Sequence, residues 1–108
     1  MVRLAITLAA QRGQAKGLTI AFRAVMSQAL ATRGCLGVHL CADLNNPDVL
    51  HYCERWPTEL ELRDRVRSRH FSHLIAVLEV AAAPPRIEIE FVSNTLGLEY
   101  IGDVLNRN

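Results

Sequence analysis

The sequence predicts an α+β fold with one four-stranded antiparallel sheet. Short apolar segments of strand length alternate with amphipathic helical segments, and turn-forming residues separate them. Their order along the chain is strand, helix, strand, strand, helix, strand. This βαββαβ order is the plan of the ferredoxin-like fold, which places both helices on one side of the sheet. With 108 residues, the chain has the length of a single domain, 1–108.

The first half of the chain supplies three strands and one helix. Residues 3–9 are short and apolar and predict a buried strand. Residues 17–32 predict a helix, because apolar residues recur three or four positions apart, and Gly34 is suited to end it in the left-handed conformation. Residues 35–42 and Val49–Trp56 predict a strand pair around a turn rich in Asn, Pro and Asp. The apolar positions of the helix are Leu18, Phe22, Val25 and Ala29.

The second half begins with a helix-start signal. Thr58 followed by Glu61 fits a capping box, which starts a helix just past Trp56. A second helical piece spans residues 71–81 and stops before Pro84. Alternating apolar and charged residues at 86–92 then predict a strand with one face more exposed to solvent than the other.

The C-terminal segment is predicted to be an addition to the core. Leu98, Ile101, Val104 and Leu105 have helical spacing, and Asn94 or Thr95 is available as a cap. We therefore divide the domain into a ferredoxin-like core, 1–93, and an extra C-terminal helix within 94–108 that packs across a dimer or over the mouth of a pocket.

Composition narrows the class of protein. A net charge of +1 gives no support to non-specific nucleic-acid binding. No apolar run approaches the roughly 18 residues of a membrane helix, so we expect no membrane partner. Three cysteines without CxxC spacing indicate reduced thiols and a cytoplasmic location. The middle strands read as apolar on both faces, which predicts a homodimer that covers the second face.

One stretch carries a family resemblance. A Gly-led strand and a second strand ending in Glu54-x-Trp56 are followed by a charged helix that closes with Ser68-x-His70-Phe71. This arrangement resembles the antibiotic biosynthesis monooxygenase (ABM) family, small dimeric proteins of the dimeric α+β barrel superfamily. The first His of the family's helical signature falls on Arg65 here.

The resemblance implies a cofactor-independent monooxygenase that oxidises a small aromatic, such as a quinol, with molecular oxygen. His70 would be the general base, since an imidazole titrates near neutrality, and Trp56 would be the stacking wall of the pocket. Arg65 or Tyr52 would hold the substrate anion. With these, Glu54 and Phe71 complete the predicted substrate-binding set, and no cofactor or metal is expected.

Each of these residues also has a structural reading. Trp56 can be the largest core side chain. Tyr52 and Glu54 share its strand face, and Glu54 can pair with an arginine on the following helix. His70 can cap the helix junction through backbone hydrogen bonds, and His73 is expected at the surface. The arginines available to Glu54 are Arg63, Arg65, Arg67 and Arg69.

A second constellation lies outside the family pattern. If the strand pair is symmetric about the turn, Cys41 faces His51 and His39 faces Cys53, on one sheet face. Two His and two Cys can form a tetrahedral zinc site, but alternate residues on a strand lie about 6.5–7 Å apart. A small polar dimer interface is the competing interpretation, and we favour it.

Two other functions remain as alternatives to the monooxygenase. Arg65 in place of His favours a non-catalytic small-molecule binding or sensing protein of the same fold. Haem binding and degradation occurs in relatives of this fold. It is disfavoured here because the first strand has Thr7 and no Asn, and because Arg65 replaces the helical His.

Overall fold

The structure is a computed structural model that describes residues 1–106. It contains four strands and four helices within that part of the chain. In chain order they are β1 (Val2–Ala9), α1 (Ala15–Leu30), β2 (Gly37–Ala42), β3 (Val49–Trp56), α2 (Glu59–Arg67), α3 (Phe71–Glu79), β4 (Arg86–Phe91) and α4 (Leu98–Asn106). None of the helices between residues 1 and 106 combines the length and apolar character needed to cross a membrane.

The sheet confirms the predicted ferredoxin-like topology. Its strand order is β2-β3-β1-β4, and every neighbouring pair is antiparallel. Strand β1 therefore lies between β3 and β4. Leu4 on β1 pairs with Glu54 on one side and with Ile89 on the other, so residues from three strands form rows across the sheet.

The core lies between the sheet and the helices. Alternate residues of β1 are buried, as the side-chain period of two requires when one face is covered. The predicted apolar stripe of α1 is buried in full and packs against this face. The buried residues of β1 and α1 are Val2, Leu4, Ile6, Leu8, Leu18, Phe22, Val25 and Ala29.

Local signals account for the helix ends. Helix α1 ends at Leu30, two residues before the predicted end. Gly34 adopts the left-handed conformation predicted for it, with φ +91. The capping box before α2 is present, with the Thr58 backbone N–H donating to the Glu61 carboxylate at 3.1 Å. At the other end of α2, both the N–H and the hydroxyl of Ser68 donate to the Arg65 carbonyl, which separates α2 from α3.

The C-terminal helix is present but starts later than its predicted caps. Helix α4 begins at Leu98, so neither Asn94 nor Thr95 caps it. The Gly97 N–H instead donates to the Glu99 carboxylate at 2.9 Å. Within the described residues 1–106, nothing buries any residue of α4. Residues 107–108 of the predicted extension lie outside the described residues.

The face of the sheet that carries no helices corrects one prediction. We call it the open face, and it is not apolar: arginine, histidine, cysteine and glutamate side chains cover most of it. Only alternate residues of the middle strands reach this face, and these are largely polar. The expectation that this face is apolar is therefore wrong, whereas the packing of two sheets through it stays a prediction. The residues of the open face are Arg3, Ala5, Thr7, Ala9, Gly37, His39, Cys41, Val49, His51, Cys53, Arg55, Arg86, Glu88 and Glu90.

Candidate functional site

Strand β3 turns three of the predicted site residues toward the helices. Tyr52, Glu54 and Trp56 alternate with outward residues and so share one face, as predicted. All three are buried, and Glu54 and Trp56 have no exposed surface. A carboxylate at such a position needs partners, because burying an unpaired charge is costly.

Arg65 supplies the counter-charge for Glu54. Its Nε donates to Glu54 Oε1 at 3.1 Å and its Nη2 donates to Oε2 at 3.0 Å, a two-pronged pairing between fully buried side chains. Tyr52 donates its hydroxyl to Oε2 at 2.6 Å, and Trp56 donates Nε1–H to Oε1 at 3.2 Å. Each carboxylate oxygen thus accepts two hydrogen bonds. The interpretation that Glu54 pairs with an arginine of the following helix is confirmed.

Two further aromatic rings contact this group of four residues, which we call the buried cluster. The Arg65 guanidinium lies 5.3 Å from the centre of the Phe71 ring, within cation–π range. The Phe22 ring stacks on Tyr52 with 5.0 Å between centroids. Phe71 is therefore brought to Arg65 as the predicted site requires, but as a packing partner.

Burial sets the protonation states in the cluster. Burial raises the pKa of the Tyr52 hydroxyl, and the adjacent Glu54 carboxylate raises it further. Burial acting alone would lower the pKa of Arg65, but its hydrogen bonds to Glu54 and the carboxylate charge outweigh burial and raise it. Tyr52 is therefore a neutral donor and Arg65 a cation at physiological pH.

The histidines lie elsewhere. His70 is at the N-terminus of α3 and is exposed, and its ring makes no cap hydrogen bond, so the capping interpretation is wrong. Its ring centroid lies 5.8 Å from that of His73. His73 is exposed, as predicted, and its ring hydrogen-bonds the Gln28 side-chain amide.

The space beside Trp56 is filled by the buried cluster. Five cavities of the described residues, with volumes of about 230 to 540 Å³, are lined by neither Trp56 nor Arg65. Arg65 uses two of its three guanidinium nitrogens on Glu54, and its buried Nη1 has no partner among residues 1–106. In this arrangement Arg65 is not free to hold a substrate anion.

The largest of these cavities, about 540 Å³, lies over the open face. The predicted pairing of Cys41 with His51 and of His39 with Cys53 is confirmed. No group of three or more His, Cys, Asp and Glu side chains in the described chain is placed to hold a metal ion. His51 instead accepts or donates hydrogen bonds with Asp43 at 3.1 Å and Thr7 at 3.3 Å. The His51 hydrogen bond is the main cause that lowers the pKa of Asp43.

Two apolar depressions lie on the helix side of β4. The α3 cavity, about 480 Å³, is lined by Ile75 and Leu78 of α3, Glu79, residues 81–85 and Ile87 of β4. The α2 groove, about 250 Å³, has a floor of four apolar side chains and a rim of three charged ones. Its floor is Leu62, Val66, Ile89 and Phe91, and its rim is Glu59, Arg63 and Arg67.

These depressions adjoin the buried cluster through β1. Ile87 pairs with Ile6, which pairs with Tyr52, and Phe91 pairs with Val2, which pairs with Trp56. One strand of apolar side chains therefore separates the open cavities from the predicted site residues. The residues predicted from the sequence did not include Glu79, the last residue of α3, which lines the α3 cavity.

The model of the family described as antibiotic biosynthesis monooxygenase matches residues 1–77, which hold β1 to β3, α1, α2 and most of α3. The chain belongs to the ABM family. The match includes the whole buried cluster and confirms the resemblance found in the sequence. No curated protein sequence is significantly similar to the chain.

Solved structures of ABM proteins share its fold. A putative antibiotic biosynthesis monooxygenase from Deinococcus radiodurans is similar with a TM-score of 0.79 and 17% identity, covering 91% of this chain and 98% of that one. One from Nitrosomonas europaea gives 0.77 and 13%, covering 87% and 100%. One from Bordetella bronchiseptica gives 0.71 and 21%, covering 86% and 97%. At these identities the likeness shows the fold alone.

Proposed function

We propose that this ABM protein is a monooxygenase that oxidises a small electron-rich aromatic, such as a quinol, with molecular oxygen and no added cofactor. The family match supports the reaction class. The observation that carries the proposal is the α3 cavity, whose volume of about 480 Å³ falls within the range of ligand pockets. Its walls are alanine, proline and branched aliphatic side chains, which suit an aromatic ring.

Glu79 gives the α3 cavity a polar anchor. It is the charged side chain among the residues that line this cavity, and a carboxylate accepts the hydrogen of a phenolic hydroxyl. His70, the acceptor predicted from the sequence, lies at the N-terminal end of α3 and is not among the residues that line the cavity, so it is the weaker candidate. Variants of the two residues separate these roles.

The proposed chemistry balances without a further oxidant. The substrate hydroxyl gives its proton to the acceptor, and the resulting anion gives one electron to oxygen. Superoxide and the substrate radical then form a C–O bond at a ring carbon that carries hydrogen. The acceptor returns its proton to the distal oxygen of this peroxide, and loss of water, which takes the hydrogen of the ring carbon, leaves a carbonyl there. One oxygen atom thus enters the product, and the other leaves as water. The substrate supplies all four electrons.

We assign the buried cluster a positioning role in this reaction. Tyr52, Glu54, Trp56 and Arg65 tie β3 to α2, and Phe71 extends the tie to the start of α3. Because α3 forms one wall of the α3 cavity, the cluster fixes that wall relative to the sheet. The sequence predicted that these residues contact the substrate. We propose instead that they lie behind the cavity wall formed by α3 and hold it in place.

Oxygen uptake with a panel of quinols tests the proposal. Ile87→Glu, which puts a charge into the α3 cavity, should abolish uptake, while Ile20→Glu at an exposed position of α1 should leave it unchanged. Loss of uptake in Glu79→Gln but not in His70→Ala identifies Glu79 as the acceptor, and the reverse result identifies His70. Full activity of Ile87→Glu would place the reaction elsewhere.

A second candidate function is binding without turnover. Binding without turnover is favoured by the two hydrogen bonds from Arg65 to Glu54. They occupy the guanidinium that was expected to hold the substrate anion during the reaction. Calorimetric titration with the same quinols distinguishes the two functions. Tight binding that Ile87→Glu removes, without oxygen uptake by the unmodified protein, would establish the binding protein.

We further propose a homodimer in a reducing compartment such as the cytoplasm. Exposed apolar residues of β4 and α4 support the binding of a partner chain, because association would remove this apolar surface from water. The three cysteines are unpaired, in accord with a reducing compartment. Light scattering should give twice the chain mass of 12.0 kDa.

A further inference from the structure

The cavity over the open face carries positive charge. Two arginines and two histidines line it, and no acidic residue of the described chain does. The two glutamates of the open face, Glu88 and Glu90, lie on the edge strand β4, outside this lining. The cavity therefore favours a negatively charged occupant. The four residues are Arg3, His39, His51 and Arg55.

The charges of the two arginines are poorly compensated within the chain. No carboxylate lies within 4 Å of Arg55 in residues 1–106. Arg3, directly opposite Arg55 in the strand register, has Glu90 at 3.6 Å, which is longer than a hydrogen bond, and these two side chains are 41% and 44% exposed. Like charges directly opposite each other destabilise a sheet. An anion in the cavity would offset this repulsion.

Each of these arginines also has a buried donor without an acceptor. Arg3 Nε and Arg55 Nε are both buried, and neither has a hydrogen-bond partner in the described chain. A buried N–H without an acceptor is costly, and folded proteins pair nearly all such groups. An oxyanion in the cavity gives these donors an acceptor once the two side chains turn toward it.

Gly37 leaves room for the side chain of Arg55. The two residues pair between β2 and β3, and a Cβ at position 37 would collide with Arg55 Nη2. The guanidinium therefore lies across the sheet, above the backbone of Gly37 and two residues along β2 from His39. Its planar fork can donate two parallel hydrogen bonds to a carboxylate or a phosphate. This end of the cavity is thus suited to an oxyanion.

The rest of the cavity floor has room for an organic group. Along β1 the floor continues from Arg3 over Ala5 to Thr7, and alternate residues of a strand lie about 6.5–7 Å apart. Ala5, in the middle, has a small side chain that leaves space above it. At the far end the Thr7 hydroxyl hydrogen-bonds His51 at 3.3 Å. The volume of about 540 Å³ falls within the range of ligand pockets, so an anion that carries a ring fits.

We propose that the open-face cavity binds a small organic oxyanion, a carboxylate or a phosphate ester, with its charged group held by Arg55 and Arg3 and its body over Ala5. The site is separate from the α3 cavity, which lies on the helix side of the sheet. The apolar residues that support the homodimer lie on α4 and on the helix side of β4, so they leave the open face to a small ligand. This site goes beyond the proposed reaction and does not depend on it.

Calorimetric titration of the full chain with phenyl phosphate and with benzoate tests the site and identifies the preferred charged group. Arg55→Gln should raise the dissociation constant of the bound anion about 10- to 100-fold, because hydrogen bonds from a charged donor are lost. Arg67→Gln removes the same charge from the exposed end of α2 and is the matched control, which should bind as the unmodified protein does. Ile87→Glu, in the α3 cavity, should also bind normally.

Two further measurements locate the bound anion. Ala5→Leu fills the floor of the cavity and should weaken binding although every charge is kept. The anion that binds more tightly should slow the reaction of iodoacetamide with Cys41, which lines the cavity, and leave the reaction of Cys35, which does not, unchanged. Mass spectrometry follows both thiols in one sample, and circular dichroism checks that each variant is folded.

Four results would overturn the proposal. They are the absence of binding of either anion at millimolar concentration, an affinity that Arg55→Gln or Ala5→Leu leaves unchanged, an affinity that Ile87→Glu or Arg67→Gln lowers as much as Arg55→Gln does, and labelling of Cys41 that the anion does not slow. A second copy packed on the open face predicts the first of these. Oxygen uptake separates this site from the proposed function: an active protein that binds neither anion refutes only the site, and anion binding without uptake refutes only the enzyme.

Discussion

Replacement of Arg65 by methionine should be the most damaging single change in α2. The substitution keeps a long apolar side chain but leaves the Glu54 carboxylate, which has no exposed surface, with only Tyr52 and Trp56 as donors. Removing one partner of a buried ion pair costs about 3–5 kcal/mol, because the other charge stays buried. Small domains are stable by about 5–15 kcal/mol, so much of the stability would be lost.

Arg63→Met is the matched control. Arg63 lies on the same helix and also bonds a glutamate, Glu59 at 2.6 Å, but both side chains are about half exposed. Exposed pairs contribute about 0–1 kcal/mol. Urea unfolding followed by circular dichroism measures both variants, and their free energies of unfolding should differ by at least about 2 kcal/mol.

A double variant keeps the experiment decisive if Arg65→Met fails to fold. Glu54→Gln with Arg65→Met removes both charges and keeps an amide oxygen to accept from Tyr52 and Trp56. It should recover most of the lost stability, as replacement of whole buried pairs generally does. If Arg65→Met matches Arg63→Met within about 1 kcal/mol, the buried pair is not a major contributor to stability and the reasoning is refuted.

Three further predictions concern pH, backbone conformation and thiol reactivity. Folding raises the pKa of Tyr52, so its contribution to the free energy of unfolding is fully present below about pH 10. Above that pH the free energy of unfolding should fall by up to about 1.4 kcal/mol per pH unit. Urea titrations of Tyr52→Phe should show a smaller fall. Gly34→Ala should cost about 1–2 kcal/mol because φ is +91, whereas Gly17→Ala, in open space on α1, should stabilise by up to about 1 kcal/mol. Cys35 should react with a thiol reagent more slowly than the exposed Cys41, since burial raises the pKa of Cys35.

Each of these has a contradicting outcome. An alkaline fall of equal slope in Tyr52→Phe would mean that another group causes it. Equal stabilities for the two glycine variants would show that the backbone at Gly34 relaxes without strain. Mass spectrometry of the partly modified protein that found Cys35 labelled before Cys41 would contradict the thiol prediction.

The fold could be predicted from the sequence because local patterns and topology agree. Three local patterns each determine one element: the apolar stripe of α1, the capping box at Thr58 and the alternation along β3. Together these elements can cover one sheet face in only a few ways. Element ends were less accurate. Helix α4 begins at Leu98, where the Gly97 N–H donates to the Glu99 carboxylate. The sequence of 94–97 does not show whether the helix starts there or at a cap by Asn94 or Thr95.

The candidate site was predicted only in part, for a physical reason. The period of two on β3 identified Tyr52, Glu54 and Trp56 as neighbours, and the charge of Glu54 required an arginine. Whether such a group lines a cavity or fills it depends on packing between distant elements, which periodicity does not describe. The strand register confirms that His39, Cys41, His51 and Cys53 share one sheet face, but the expectation of an apolar second face is wrong because only alternate residues of 35–42 reach it.

The fourfold coordination of the Glu54 carboxylate limits how this protein can change over time. Replacing Arg65 by the histidine of the family signature removes both of the hydrogen bonds that Arg65 donates to Glu54. Replacing Glu54 first leaves Arg65 as a buried cation without its counter-charge. Either order passes through a poorly folded intermediate. A change at position 65 therefore has to give Glu54 another buried donor, or remove the Glu54 charge in the same step.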